Sequence, residues 1–229
     1  VTTRPILASA PTSQTATLLT QCSFTARWVA LANVQGYYLD VSTDNTFTMP
    51  MVITNLDVGN VINYNVTGLL PGVVYYYRVR GYNNCSTSPN SATITRSTPV
   101  VPVPASAAGT LIQPCQFQAN WASPGGTPAP DAYLLDVATD AGFTSFIHQN
   151  LNVGTAVNYL VTGLAPGTQY HYRVRNQTTC GTSGYSTVRT VTTTAAVAAP
   201  TTLAHSGVTC TAFVANWNAV AGATHYLLD

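Results

Sequence analysis

Apolar and polar residues alternate with a period of two along most of this chain. Phe24, Ala26 and Trp28 alternate with Thr25 and Arg27; Tyr37, Leu39 and Val41 alternate with Tyr38 and Asp40; Tyr75, Tyr77 and Val79 alternate with Tyr76, Arg78 and Arg80. Successive side chains of a strand point to opposite faces, so each run predicts a strand with one buried and one wet face. Turn-forming clusters separate the runs: Asp44-Asn45, Pro71-Gly72 and Asn83-Asn84, then Pro124-Gly125-Gly126, Pro166-Gly167 and Cys180-Gly181. No window shows helical spacing. The pattern predicts an all-β architecture of short, half-buried strands packed as two sheets.

The pattern repeats. Asn55-Leu56-Asp57-Val58-Gly59, Tyr64, Val66-Thr67-Gly68-Leu69, Pro71-Gly72, Tyr75 and Tyr77-Arg78-Val79-Arg80 return as Asn150-Leu151-Asn152-Val153-Gly154, Tyr159, Val161-Thr162-Gly163-Leu164, Pro166-Gly167, Tyr170 and Tyr172-Arg173-Val174-Arg175, a shift of 95 residues (159 − 64). Phe24-Thr25-Ala26-Arg27-Trp28 has counterparts at 117–121 and 213–217, and a third copy of the Tyr37 segment begins at Tyr226. Such a period suits one small domain per copy rather than a solenoid unit. The expected organisation is repeat 1 at 1–98, repeat 2 at 99–197, and at 198–229 the first strands, A to C, of a third repeat that should not fold stably by itself. Val1 is not an initiator Met and no signal peptide follows it, so the chain is expected to be cut from a longer protein. Pro99, Pro102 and Pro104 favour an extended joint between the copies.

Composition narrows the functional classes. Only 7% of residues are charged, the eight cations are all Arg, the seven anions are all Asp, and the net charge is +1. That balance gives no field to draw nucleic acid or an anionic membrane, so neither is expected as a partner. With Glu absent, a glycosidase would need paired Asp residues, yet Asp40, Asp44, Asp136 and Asp140 recur as strand and turn positions. Asp40 and Asp136 are expected to face outward beside Arg78/Arg80 and Arg173/Arg175 as ion pairs on the sheet surface. The four His do not recur between copies, no Gly-x-Ser-x-Gly elbow occurs and calcium-loop spacing is lacking, so no catalysis, metal or cofactor is expected. Asn65, Asn84 and Asn176 head glycosylation sequons.

The early-strand Trp28, Trp121 and Trp217, the Tyr opening the next aromatic strand, and the Leu-x-Pro-Gly-x-x-Tyr corner (Leu69 to Tyr75, Leu164 to Tyr170) resemble fibronectin type III domains. The Leu-Asp-Val-Ser-Thr-Asp and Tyr-Tyr-Arg-Val-Arg segments are similar to tandem modules of bacterial secreted and surface proteins. The resemblance implies seven-stranded immunoglobulin-like sandwiches, with strands A, B and E in one sheet and G, F, C and C′ in the other. It makes Trp28, Trp121, Trp217, Leu69 and Leu164 core, and gives Tyr75 and Tyr170 a corner role with the hydroxyl on backbone.

It also bears on the cysteines, which stand before strand B (Cys22, Cys115, Cys210) and after strand F (Cys85, Cys180). Pairing within a repeat, Cys22 with Cys85 and Cys115 with Cys180, is the simplest reading. The implied topology puts those positions at opposite poles, on the order of 20 Å apart, against about 7 Å for bridged Cα atoms. Pairing across the joint, Cys22 with Cys180, fits a head-to-tail array, and Cys115 would then await the F–G cysteine of a third repeat. Free thiols or contacts between chains are the remaining arrangement. Either kind of bridge suits an oxidising, extracellular setting.

The expected function is therefore structural: the shaft of a surface filament, fibre or adhesin. Its partners would be neighbouring repeats, copies of itself, and glycans or cell-surface proteins. Tyr38, Tyr76, Arg78 and Arg80 on the outer face of repeat 1 form a candidate binding surface. The alternative is a spacer or carbohydrate-binding array of a secreted carbohydrate-active enzyme.

Overall fold

The computed structural model describes residues 6–48 and 51–228, and every statement below concerns those residues. Repeat 1 is a two-sheet sandwich. Strands β1 (Ser13–Thr17), β2 (Phe24–Trp28) and β5 (Asn63–Val66) form one antiparallel sheet in the order β1-β2-β5; β4 (Met51–Asp57), β3 (Gly36–Ser42), β6 (Val74–Tyr82) and β7 (Ile94–Ser97) form the other in the order β4-β3-β6-β7. Repeat 2 builds the same two sheets. Strands β8 (Ala105–Gln113), β9 (Gln116–Ala122) and β12 (Asn158–Thr162) make the first; β10 (Ala132–Ala138), β11 (Phe146–Asn152), β13 (Gln169–Thr178), the short β14 (Gly181–Thr182) and β15 (Arg189–Thr192) make the second.

The alternation is what places the core. Phe24, Ala26, Trp28, Tyr37, Leu39, Val41, Tyr75, Tyr77 and Val79 turn their apolar faces into one cluster between the sheets; Phe117, Ala119, Trp121, Tyr133, Leu135, Val137, Tyr170, Tyr172 and Val174 do the same in repeat 2. Trp28 lies 5.5 Å from the ring of Tyr37, and Trp121 lies 5.8 Å from Tyr133. Neither buried indole N–H has a hydrogen-bond partner among the described residues, so these tryptophans stabilise through buried area and their ring contacts rather than through a polar bond.

The corner after β5 in repeat 1, and after β12 in repeat 2, is held by a tyrosine. The backbone N–H of Leu70 donates to the hydroxyl oxygen of Tyr75 at 2.8 Å, and that of Ala165 to Tyr170 at 2.9 Å. Thr98 and Thr193 close the same corner by donating their hydroxyls to the carbonyls of Leu70 and Ala165, both at 2.7 Å. The hydroxyls of Tyr77 and Tyr172 reach across the sandwich to the carbonyls of Gln14 and Ala107, tying the first strand of each repeat to the opposite sheet.

Residues past 198 differ from the sequence expectation. Strands β16 (Thr202–Ser206) and β17 (Val214–Trp217) form a hairpin, but no strand C follows: residues 218–228 are turn and coil. Trp217 is half-buried rather than core, because no opposing sheet faces it. Its contact with Tyr226 at 5.6 Å, and the N–H of Val220 donating to the Tyr226 hydroxyl, copy Trp28–Tyr37 and the N–H of Leu31 on Tyr37. Local packing of the Trp–Tyr pair thus forms without the strands that would cover it.

Candidate functional site

Two regions rise above the repeated scaffold: the joint between the repeats and the outer face of the larger sheet. At the joint, Cys22 at the foot of β2 is bonded to Cys180 beyond β13, with 5.3 Å between their Cα atoms. The bond crosses from one repeat to the other, so the pairing within a repeat does not form. Beside it Gln21 is 2% exposed, and the Thr178 hydroxyl donates to its Oε1 at 3.4 Å. The linker is pinned at both ends: the N–H of Gly72 donates to the carbonyls of Thr98 and Pro99, and the Asn176 side chain donates to the carbonyl of Pro102. Gly126 has φ +114°, a backbone conformation that side chains rarely adopt, and a Cβ there would also crowd Gln21 and Pro102 at 3.2 Å, so glycine suits this close approach of the repeats. Cys85, Cys115 and Cys210 are free and exposed. Cys85 occupies in repeat 1 the place of Cys180, while Cys115 and Cys210 occupy that of Cys22.

On the outer face, the structure corrects the expected surface ion pairs. The partners are as the register requires, with Asp40 opposite Arg78 and Asp136 opposite Arg173, but the carboxylates are buried, at 4% and 1% exposure. The cause is a bulge in the neighbouring strand. Between Leu39 and Val41 the β3–β4 register slips, Asn55 takes φ 50°, and its freed N–H donates to Oδ1 of Asp40 at 2.8 Å; Asn150 (φ 52°) does the same to Asp136 at 2.7 Å. The second carboxylate oxygen accepts from Nε of Arg78, or of Arg173, at 3.0 Å. Phe47 and Phe143 then lie over those guanidinium groups at 4.1 and 3.9 Å and keep water from the pair. A buried carboxylate is tolerated here because its charge and its acceptor oxygens are both met.

Tyr38, Arg78 and Arg80 do come together on this face, whereas Tyr76 lines neither of its depressions. The Tyr38 ring stacks on Tyr82 at 4.6 Å, and the Tyr82 hydroxyl donates to Asp57 at 2.7 Å, which holds the Asp57 carboxyl below the usual carboxylate range. Asp44 and Asp140 sit in turns and accept from Thr46 and Thr48, and from Thr144 and Ser145; these bonds hold both below the usual carboxylate range, Asp44 the further. The alternation could not reveal Asn55, Asn90 or Tyr185, which shape this face. Setting the two copies side by side, one signal was the difference of Asn90 against Tyr185, ten residues past Arg80 and Arg175. Of the sequons, Asn176 is buried and closed to modification in the folded repeat, while Asn65 and Asn84 are exposed.

Two sandwiches in tandem, each pairing a three-stranded antiparallel sheet with a larger one of four strands in repeat 1 and five in repeat 2, and each with a buried Trp and a tyrosine corner, define an immunoglobulin-like repeat protein. The family model for the fibronectin type III domain matches residues 9–97 and 105–192, and the chain belongs to that family. Among solved structures it is similar to a two-domain fibronectin type III segment from chicken tenascin, at 16% identity and TM-score 0.42, covering 81% of this chain and 100% of that one. It is also similar to the FN1–FN3 domains of chicken CNTN1, at 17% identity and TM-score 0.38, covering 82% of this chain and 68% of that one. No curated protein matches it. No helix among the described residues is long and apolar enough to cross a membrane.

Proposed function

We propose that this chain is a non-catalytic segment from the shaft of an extracellular filament, fibre or adhesin, in which fibronectin type III modules are locked end to end. One observation carries the reading: the Cys22–Cys180 bond, which spans two modules instead of stapling one. A bridge inside a module would serve that module's stability, whereas a bridge across a joint restricts the angle between neighbours. The buried Gln21–Thr178 contact and the proline-bearing linker act in the same direction. The cysteine positions recur with the repeat, so in a longer array Cys115 would bond the F–G cysteine of the following module, and the staple would recur at each joint. Such a bond also favours an oxidising compartment. Few surface charges allow such rods to lie side by side without strong repulsion.

The test is the distance distribution between spin labels placed one on each repeat. The oxidised chain is expected to give one narrow peak and the Cys22→Ser variant a broad one. Equal, broad distributions in both would refute a stiff shaft.

A further inference from the structure

The Cys22–Cys180 joint uses one pole of each repeat, and the two poles left over are of the same two kinds. We infer that a second copy of this chain docks there, the pole of repeat 2 that carries Cys115 seating on the pole of repeat 1 that carries Cys85, with the two cysteines bonded between copies. This docking rests on the shaft reading, which pairs Cys115 with a following module; that module is repeat 1 of another copy.

Position excludes a bond between these cysteines within one chain. The corner at Pro71 lies at the joint, where a Cβ on Gly181 would stand 3.7 Å from it, and β6 then carries the chain nine residues away, roughly 30 Å at about 3.3 Å per residue, before Cys85. In repeat 2 the ten residues of β13 separate Cys180 from the corner at Ala165, and the N–H of Leu164 beside that corner donates to the carbonyl of Cys115 at 3.0 Å. Cys85 and Cys115 thus stand at opposite ends of the stapled pair, far beyond the roughly 7 Å of bridged Cα atoms, and both are exposed.

Each open pole is built like its counterpart in the joint. The N–H of Leu69 donates to the carbonyl of Cys22 at 3.0 Å as that of Leu164 does to Cys115, so both cysteines hold the same place beside their corners. The N–H of Cys85 donates to Oδ1 of Asn83 at 2.9 Å, and that of Cys180 to Oγ1 of Thr178 at 3.2 Å, each to the side chain two positions earlier. The bond between Cys22 and Cys180 therefore shows what a pole of one kind does with a pole of the other.

The surrounding side chains differ from those of the joint in a matched way. Inside the joint Gln21 precedes Cys22 and meets the Thr178 hydroxyl. Pro114 precedes Cys115, and Asn83 stands in the place of Thr178 with its amide nitrogen donating to the carbonyl of Asn33 at 3.2 Å. Beside Cys85 lies an open depression of about 270 Å³ walled by Ile6, Leu7, Leu31 and Ala32, tied to the Cys85 turn by the Leu7 N–H on Oγ of Ser86 at 2.8 Å. A proline ring suits that apolar depression where a glutamine would not. The segments that meet, 83–88 on one copy and 113–116 with 164–167 on the other, contain no charged residue, so no like charges oppose the approach. The two surfaces are different, so the contact is head to tail, and each copy can add a further one at either end.

The bond forms by exchange with a small disulfide such as oxidised glutathione. The Cys115 thiolate attacks it and expels one glutathione thiolate; the Cys85 thiolate of the second copy then attacks the Cys115 sulfur and expels the other. The two cysteines give up two protons and two electrons, and the small disulfide takes up both.

The whole chain carrying Cys210→Ser, with Cys85 and Cys115 as its remaining thiols, would be incubated with oxidised glutathione and followed by non-reducing electrophoresis and peptide mapping. A ladder of linked copies is expected, joined through Cys85–Cys115 peptides. In the same background Cys85→Ser and Cys115→Ser should each stay single when alone. Their mixture should stop at a two-copy product, about tenfold or more over either like-with-like pair. Pro114→Asp should suppress that product while the Cys22–Cys180 peptide and the folded NMR spectrum persist. Like-with-like pairs in comparable amount, no linked product, or a yield untouched by Pro114→Asp would each overturn the docking. The shaft reading would survive those outcomes, since it is judged by the distance between spin labels on the two repeats.

Discussion

Repeats 1 and 2 share their strand order, their core aromatics, their tyrosine corners and their buried Asp–Arg pairs, yet differ where the larger sheet meets solvent. Tyr38, Tyr82 and Asn90 in the first stand against Leu134, Gln177 and Tyr185 in the second. Positions held between two sheets are fixed by packing, since a cavity or an overfilled core costs stability at once. Positions on the outer face carry no such demand and are free to diverge. The difference separates what makes a module from what a particular module presents to its surroundings.

That separation can be broken at its strongest shared feature. Asp40→Ala and Asp136→Ala each strand a half-buried arginine and orphan the N–H of Asn55 or Asn150, so each is expected to destabilise its own repeat by about 3–5 kcal/mol. The loss should be larger in repeat 2, where two rings rather than one cover Arg173. Urea unfolding followed repeat by repeat checks this, and a larger loss in repeat 1 would contradict it.

A smaller effect sharpens the contrast itself. Tyr185→Asn removes a ring that covers two guanidinium groups and should cost about 1 kcal/mol, the scale of a partly exposed cation–π contact. Asn90→Tyr should stabilise repeat 1 by less, because the new ring displaces the Asn90–Arg80 hydrogen bond. Thermal melts of the reciprocal pair would show opposite signs.

The smallest effect should be equal in the two repeats. Burial opposes the phenolate form of Tyr77 and Tyr172 and raises both above the ordinary tyrosine value. A tyrosine raised on folding stabilises fully below the unfolded value of about 10, and the contribution is lost as pH rises past it, because the unfolded chain then releases protons that the folded one retains. Stability measured across that range should fall, and Tyr77→Phe should flatten the fall for repeat 1 alone.

Much of the fold was legible from alternation. Phe24 to Trp28, Tyr37 to Val41 and Tyr75 to Val79 each announced a strand and its inner face, and the turn clusters bounded them. Asp40 was misread, because period two says only that it points away from Trp28 and not that a bulge at Asn55 and the ring of Phe47 would close over it. Trp217 was misread for the opposite reason: the motif was present, but the sheet that buries its counterparts was not. Tyr38, Arg78 and Arg80 were found as a group, while Tyr76 shared their face without sharing their groove.

By itself the amino-acid sequence determined the strands, the inward faces and the tandem organisation, since these follow from local periodicity and from the burial each apolar position demands. Tertiary structure alone decided that Cys22 meets Cys180 across 158 residues, that Asp40 and Asp136 lie buried, and that one outer face is open while its twin is filled. Those outcomes depend on which surfaces are brought together when sheets stack and modules join, and no local pattern encodes that approach.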